Sequence, residues 1–179
     1  MNPNFRNVLF LCTGNSARSI LAEATLNALS DGRLRAYSAG SRPAGQINPF
    51  ALEIVQRMGW PTEGLRSKSW DEYAQAGAPA MDLIITVCDS AAAEACPVWP
   101  GRPAHAHWGM PDPAAVPGNV QHKRRAFEEA HALLRRRIGM LLALPLAELD
   151  SVSLAHALRA ITARADSDRT APGVTEDRA

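Results

Sequence analysis

Apolar and polar positions alternate in blocks along this chain, with short apolar runs of strand length followed by longer stretches at helical spacing. Val8-Leu9-Phe10-Leu11 marks a first strand over about residues 7–11. Ala22, Leu26 and Leu29 then share one face of a helix over 19–29, which stops at Asp31-Gly32. Residues 35–39 read as a second strand. Asn48 followed by Pro49 is a helix start; that helix presents Leu52, Val55 and Met58 and ends at Gly59. Residues 60–80 are rich in Gly, Pro and Ser, with a short helix expected over 69–76. A buried third strand spans 83–87, an irregular loop 88–103 and a short fourth strand 105–108. Phe127, Leu134, Ile138 and Leu141 place a long amphipathic helix over 120–142. A further helix over 146–164 carries Leu149, Val152, Leu154, Leu158 and Ile161.

This alternation predicts an α/β fold: a four-stranded parallel open sheet flanked by helices on both faces. One domain is expected over residues 1–145, with an additional C-terminal helix over 146–165. Residues 166–179 are polar and without period, and are expected to be disordered. Each strand runs into a loop that carries candidate chemistry, and open α/β sheets bind ligands at those carboxyl ends.

The chain has 179 residues and a formal net charge of +1, so no polyanionic partner is implied. Lys123-Arg124-Arg125 and Arg135-Arg136-Arg137 lie on the long helix and read as a solvated face, not a nucleic-acid surface. No leader and no membrane-length apolar run is visible, and a cytoplasmic location is expected. Three cysteines in a reducing compartment point to catalytic or redox use. His105-x-His107 has no companions at ligand spacing, so no metal is expected.

The chemistry concentrates in Cys12-Thr13-Gly14-Asn15-Ser16-Ala17-Arg18-Ser19. A strand ends on a thiol, a short loop follows, and a helix begins. The backbone N–H groups of Thr13, Gly14, Asn15, Ser16 and Ala17 can turn inward as an anion-binding nest, aided by the helix N-terminus. Gly14 and Asn15 tolerate unusual backbone angles. Arg18 offers a planar fork for two oxygens of a phosphate-like group. The same positive field should depress the pKa of Cys12, and Ser19 can donate a hydrogen bond to its sulfur.

These residues resemble the active-site loop of the low-molecular-weight protein tyrosine phosphatase fold, and the wording Cys-Thr-Gly-Asn-Ser-x-Arg-Ser resembles its thiol-carrier-coupled arsenate reductases. Two distant segments agree: Thr86-Val87-Cys88-Asp89 with Cys96-Pro97-Val98-Trp99-Pro100-Gly101, and His107-Trp108-Gly109-Met110-Pro111-Asp112-Pro113-Ala114. The resemblance implies reduction of arsenate to arsenite through a Cys12 adduct. Asp112 would be the acid, and a disulfide relay would pass to Cys88 and then Cys96. It also implies an external thiol reductant, either thioredoxin or glutaredoxin with glutathione, and no bound cofactor. The separation of Cys88 and Cys96 is one residue longer than the thioredoxin-linked pattern. Asn15, Glu23, Ser38 and Asp71 match positions that support the loop or, in some relatives, bind potassium; a hydrogen-bond network fixing Asn15 is the preferred reading.

Two other functions use the same residues. A phosphotyrosine or small phosphomonoester phosphatase needs Cys12, Arg18 and Asp112 alone. Against it, Ala114 stands where such enzymes carry an aromatic residue. A non-enzymatic phosphocysteine carrier would have little use for Arg18 and Asp112.

Overall fold

The computed structural model describes residues 6–170. Its elements in chain order are β1 (Asn7–Cys12), α1 (Arg18–Leu29), β2 (Arg35–Gly40), α2 (Pro49–Arg57), β3 (Leu83–Thr86), α3 (Asp89–Ala93), β4 (Ala104–His107), α4 (Val120–Leu142) and α5 (Ser151–Thr170). One-turn 3₁₀ helices lie at Trp70–Tyr73 and Pro113–Ala115. The four strands form one sheet in the order β2-β1-β3-β4, and all pairs are parallel.

β1 is central and buried from Val8 to Cys12, which is why it reads as an unbroken apolar run. Its alternate residues serve two cores. Val8 and Phe10 join α1, α2, α4 and α5 in the larger one, with Trp108 completely buried against Phe10. Leu9 and Leu11 face a thinner layer of Trp70, Tyr73, Met81 and Trp99.

α2 starts as its Asn-Pro signal requires: the Asn48 side chain accepts from Phe50 N at 3.0 Å. Gly59 takes φ 70° just beyond the helix, the left-handed turn that ends it. The segment 69–76 forms only the 3₁₀ turn. The expected irregular loop after β3 contains α3, which starts at once because Cys88 itself caps it. α5 begins at Ser151, where Asp150 accepts from Ser153 N at 2.7 Å. It runs to Thr170, so residues 166–170 are helical where disorder was expected; 171–179 lie outside the described residues. Its buried stripe of Leu154, Leu158, Ile161 and Ala165 packs on β4 and α4.

The Arg135-Arg136-Arg137 run is not uniformly solvated. Arg137 is fully buried, and its Nη1 donates to Trp108 O at 2.8 Å and Gly109 O at 3.2 Å.

Among the described residues, no helix is long and apolar enough to cross a membrane.

Candidate active site

Cys12 ends β1, and the chain then loops to Arg18, the first residue of α1. The loop's carbonyls are held outward: Thr13 O accepts from Arg42 N at 3.0 Å, Gly14 O from Ala44 N at 2.8 Å and Ser16 O from Asn48 N at 2.9 Å. A trans peptide plane directs its N–H opposite to its carbonyl, so the N–H groups of Gly14, Asn15 and Ala17 turn inward. Asn15 N duly donates to Cys12 Sγ at 3.2 Å. Ala17, the N-cap of α1, makes no side-chain cap, and the first turn carries no acidic residue. The helix N-terminus therefore keeps its donors for an anion.

The loop's left-handed residue is Asn15, at φ 42°; Gly14 is not in that region. The glycine that the loop does require is Gly40, at the end of β2. A Cβ there would lie 2.4 Å from Thr13 O and 3.0 Å from Asn15 N.

Every polar atom of the Asn15 amide is used. Nδ2 donates to Ser19 Oγ and Ser38 Oγ, each at 2.9 Å, and Oδ1 accepts from Lys68 N at 2.8 Å. Ser38 in turn donates to Glu23. With its oxygen already accepting from Asn15, Ser19 has its own proton free for Cys12 Sγ, 2.8 Å away. Burial nevertheless pushes the Cys12 thiol above its ordinary value. The Ser19 and Asn15 hydrogen bonds pull it down, and the nearby Cys88 adds to the rise. The expected depression is thus outweighed by desolvation.

Arg18 Nη1 donates to Met110 O at 3.0 Å, and Nη2 lies 3.2 Å from Asp112 Oδ2. Asp112 also caps the following turn, with Oδ1 accepting from Ala114 N at 3.1 Å. One carboxylate oxygen shapes the loop while the other faces the arginine. Cys12, Arg18 and Asp112 border a cavity of about 220 Å³ with Arg42, Ser90 and Ala114 at its wall. Among the described residues, three larger hollows, one between α4 and the Asp112 loop, one behind Glu23 and one beside Arg33 and Leu142, are lined by no cysteine.

Cys88 is buried, and its Sγ lies 3.7 Å from Thr13 Oγ1, beside the Cys12 loop. It accepts from Ala91 N at 3.4 Å, so the thiol sits at the start of α3. Cys96 is exposed on the segment after α3, and all three cysteines are free thiols.

The profile of low molecular weight phosphotyrosine protein phosphatases matches residues 7–153. The chain belongs to this family. It is 33% identical to an arsenate reductase of Halalkalibacterium halodurans over 135 residues, 75% of this chain and 94% of that protein. It also superposes on an arsenate reductase from Archaeoglobus fulgidus with TM-score 0.55 and 28% identity, covering 74% of this chain and 98% of the other. A thioredoxin-dependent arsenate reductase of Corynebacterium glutamicum matches with TM-score 0.51 and 26% identity over 73% of this chain and 58% of that one.

Within this phosphatase-family site, one sequence expectation changes. Asp71 is exposed and bonded to Ser69, apart from the Asn15 network. Lys68 takes its place: Nζ lies 3.4 Å from Glu23 Oε2 and 3.1 Å from Arg66 O. Burial pushes Glu23 up and Lys68 down, and each opposes the other's shift. A potassium ion does not fit here, because Lys68 already brings positive charge to Glu23. Among the described residues, no group of three His, Cys, Asp or Glu is placed to hold a metal.

Arg137 is the other residue that sequence reasoning missed. It ties down Trp108 and Gly109 just before Met110, so the Asp112 loop is held by Arg137 at its base and Arg18 at its tip. The four tryptophans pack away from the cavity: Trp70, Trp99 and Trp108 are core, and Trp60 stands edge-on to His131 at 5.4 Å.

Proposed function

We propose that this chain is an arsenate reductase that cycles its three cysteines. The observation that carries this reading is the placement of a second buried thiol, Cys88, beside the anion loop that begins at Cys12. A phosphatase has no use for that thiol. The named arsenate reductases among its relatives support the same choice.

The loop N–H groups and Arg18 hold arsenate over Cys12. The Cys12 thiolate attacks arsenic, an arsenic–oxygen bond breaks, and Asp112 protonates the departing oxygen to water. The Cys88 thiolate then attacks Cys12 Sγ. The sulfur–arsenic bond breaks with its electron pair on arsenic, so As(V) leaves as As(III) arsenite and a Cys12–Cys88 disulfide remains. The Cys96 thiolate next attacks Cys88 Sγ, restoring the Cys12 thiolate and moving the disulfide to Cys88–Cys96. An external dithiol reduces that bond. The reductant is thioredoxin, a choice supported by the thioredoxin-dependent relative, with glutaredoxin and glutathione as the alternative. No bound cofactor takes part.

Cys88 sits at the N-cap of α3, where Ala91 N donates to its sulfur. Five residues, Asp89–Ala93, make up α3, and only Ala91 among them is buried. So thin a segment can unwind to let Cys88 reach first Cys12 and then Cys96.

Cys88→Ser tests the assignment. It should abolish catalytic arsenite production yet leave hydrolysis of an aryl phosphate within about threefold, since water cleaves a phosphocysteine but supplies no electrons. If arsenate turnover survived in Cys88→Ser, the internal relay would be wrong.

A further inference from the structure

Arg42 touches both halves of this chemistry. It lines the cavity with Cys12 and Arg18, and its Nη2 lies 3.6 Å from Glu94 Oε1. Its backbone N–H is bonded to Thr13 O at 3.0 Å, so the side chain hangs from a post on the Cys12 loop itself.

The Arg42–Glu94 pair is unequal. The Arg42 side chain is 78% exposed and the contact exceeds hydrogen-bond length, so Arg42 has room to turn toward the cavity. Glu94 Oε1 is buried and has no hydrogen-bond partner among the described residues, so Arg42 is the charge that compensates it. Glu94 closes α3 and lies two residues before Cys96. The Glu94 side chain is 28% exposed, so without its counter-charge the one buried oxygen, Oε1, would turn toward water and carry the end of the segment with it.

We propose that Arg42 is a second oxyanion-binding arginine, shared with Glu94, so that an oxyanion captured over Cys12 draws Arg42 away and frees the Cys96 arm. A tetrahedral oxyanion with charge on several oxygens competes well against one carboxylate for a guanidinium fork. The order of events is thereby built in: Cys96 is already exposed, and the segment that carries it is loosened to approach Cys88 when substrate has arrived. The inference rests on the roles given above to Cys12 and Cys96.

Inorganic phosphate, which binds as an oxyanion and accepts no electrons, is the probe. Two rates are read by mass spectrometry in one sample of the full chain: protection of Cys12 from iodoacetamide, and alkylation of Cys96. Phosphate should protect Cys12 in the wild type and speed Cys96 alkylation several-fold. Arg42→Gln should weaken protection about tenfold, the loss of one charge-assisted contact, and Cys96 should no longer respond. Glu94→Gln should tighten protection about threefold and leave Cys96 fast with or without phosphate. The double variant should bind phosphate as weakly as Arg42→Gln alone. Wild-type phosphate affinity in Arg42→Gln, or a Cys96 rate that ignores phosphate in the wild type, overturns the proposal. If Arg42→Gln failed to fold, the Glu94→Gln and wild-type arms would still decide it. Because phosphate is not reduced, these results stand apart from whether arsenite is made.

Discussion

Ser19 Oγ lies 2.8 Å from Cys12 Sγ while its own acceptor side is taken by the Asn15 amide. The hydroxyl is thereby committed to donate to sulfur. It is the largest influence opposing the burial that pushes the Cys12 thiol up.

Ser19→Ala should therefore move the Cys12 titration further up and slow its alkylation at neutral pH about fivefold, the worth of one hydrogen bond. The pH dependence of iodoacetamide labelling in both proteins measures this. An unchanged profile would mean that the Asn15 N–H alone sets the thiol.

Arg18→Lys should be nearly as damaging as Arg18→Ala, with kcat/KM down roughly 10²–10³-fold in both. The guanidinium spans Met110 O and Asp112 Oδ2 with two different nitrogens, and an ammonium cannot hold both while facing an oxyanion. Steady-state kinetics on arsenate and on an aryl phosphate provide the comparison. Retention of most activity by the lysine variant would demote Arg18 to a loop tether.

Arg137→Met should cost roughly 1–3 kcal/mol of stability, because buried carbonyls at Trp108 and Gly109 lose their donor. It should also slow hydrolysis of aryl phosphates with basic leaving groups more than activated ones, since it loosens the loop that carries Asp112. Urea unfolding and a leaving-group series separate the two effects. A stability loss with an unaltered leaving-group slope would confine Arg137 to the core.

His131 is buried on α4 against Trp60, and its Nε2 has no hydrogen-bond partner among the described residues. Burial, with the charges of Arg135 and Arg57, holds it below its ordinary 6.5. An unfolded chain binds that proton near 6.5 while the folded chain resists it. The stability this group contributes is full above the unfolded value and is lost as pH falls through the lower folded value. Urea midpoints should drop as pH falls below the ordinary value of 6.5, and His131→Phe should flatten that drop.

The elements legible in the sequence are those whose burial is one-sided or complete. β1 announces itself as Val8–Leu11, and the stripe Phe127, Leu134, Ile138, Leu141 places α4 with its observed ends. Arg137 was concealed by its charge, although it falls three residues after Leu134 on that same stripe. Its long stem crosses the core to reach the backbone at Trp108. Cys12, Arg18, Ser19 and Asp112 were readable because one loop and one motif place them. Lys68 was not, since only the folding of residue 68 against β2 brings it to Asn15. The direction of the Cys12 shift was also out of reach: the sequence displays the positive groups around a thiol but not how completely the core dehydrates it.

Among the described residues, β4 has a neighbouring strand on one side only, and the helix packed on it, α5, lies almost wholly past the end of the family match at residue 153. A shortened chain ending before Ser151 would bare Leu154's and Leu158's counter-surface along that strand. Its unpaired edge would then be open to pairing with the same strand of a second molecule, closing a side-by-side dimer. For this protein the C-terminal extension would act as a stopper against self-association, whatever it adds to the chemistry at the other end of the sheet.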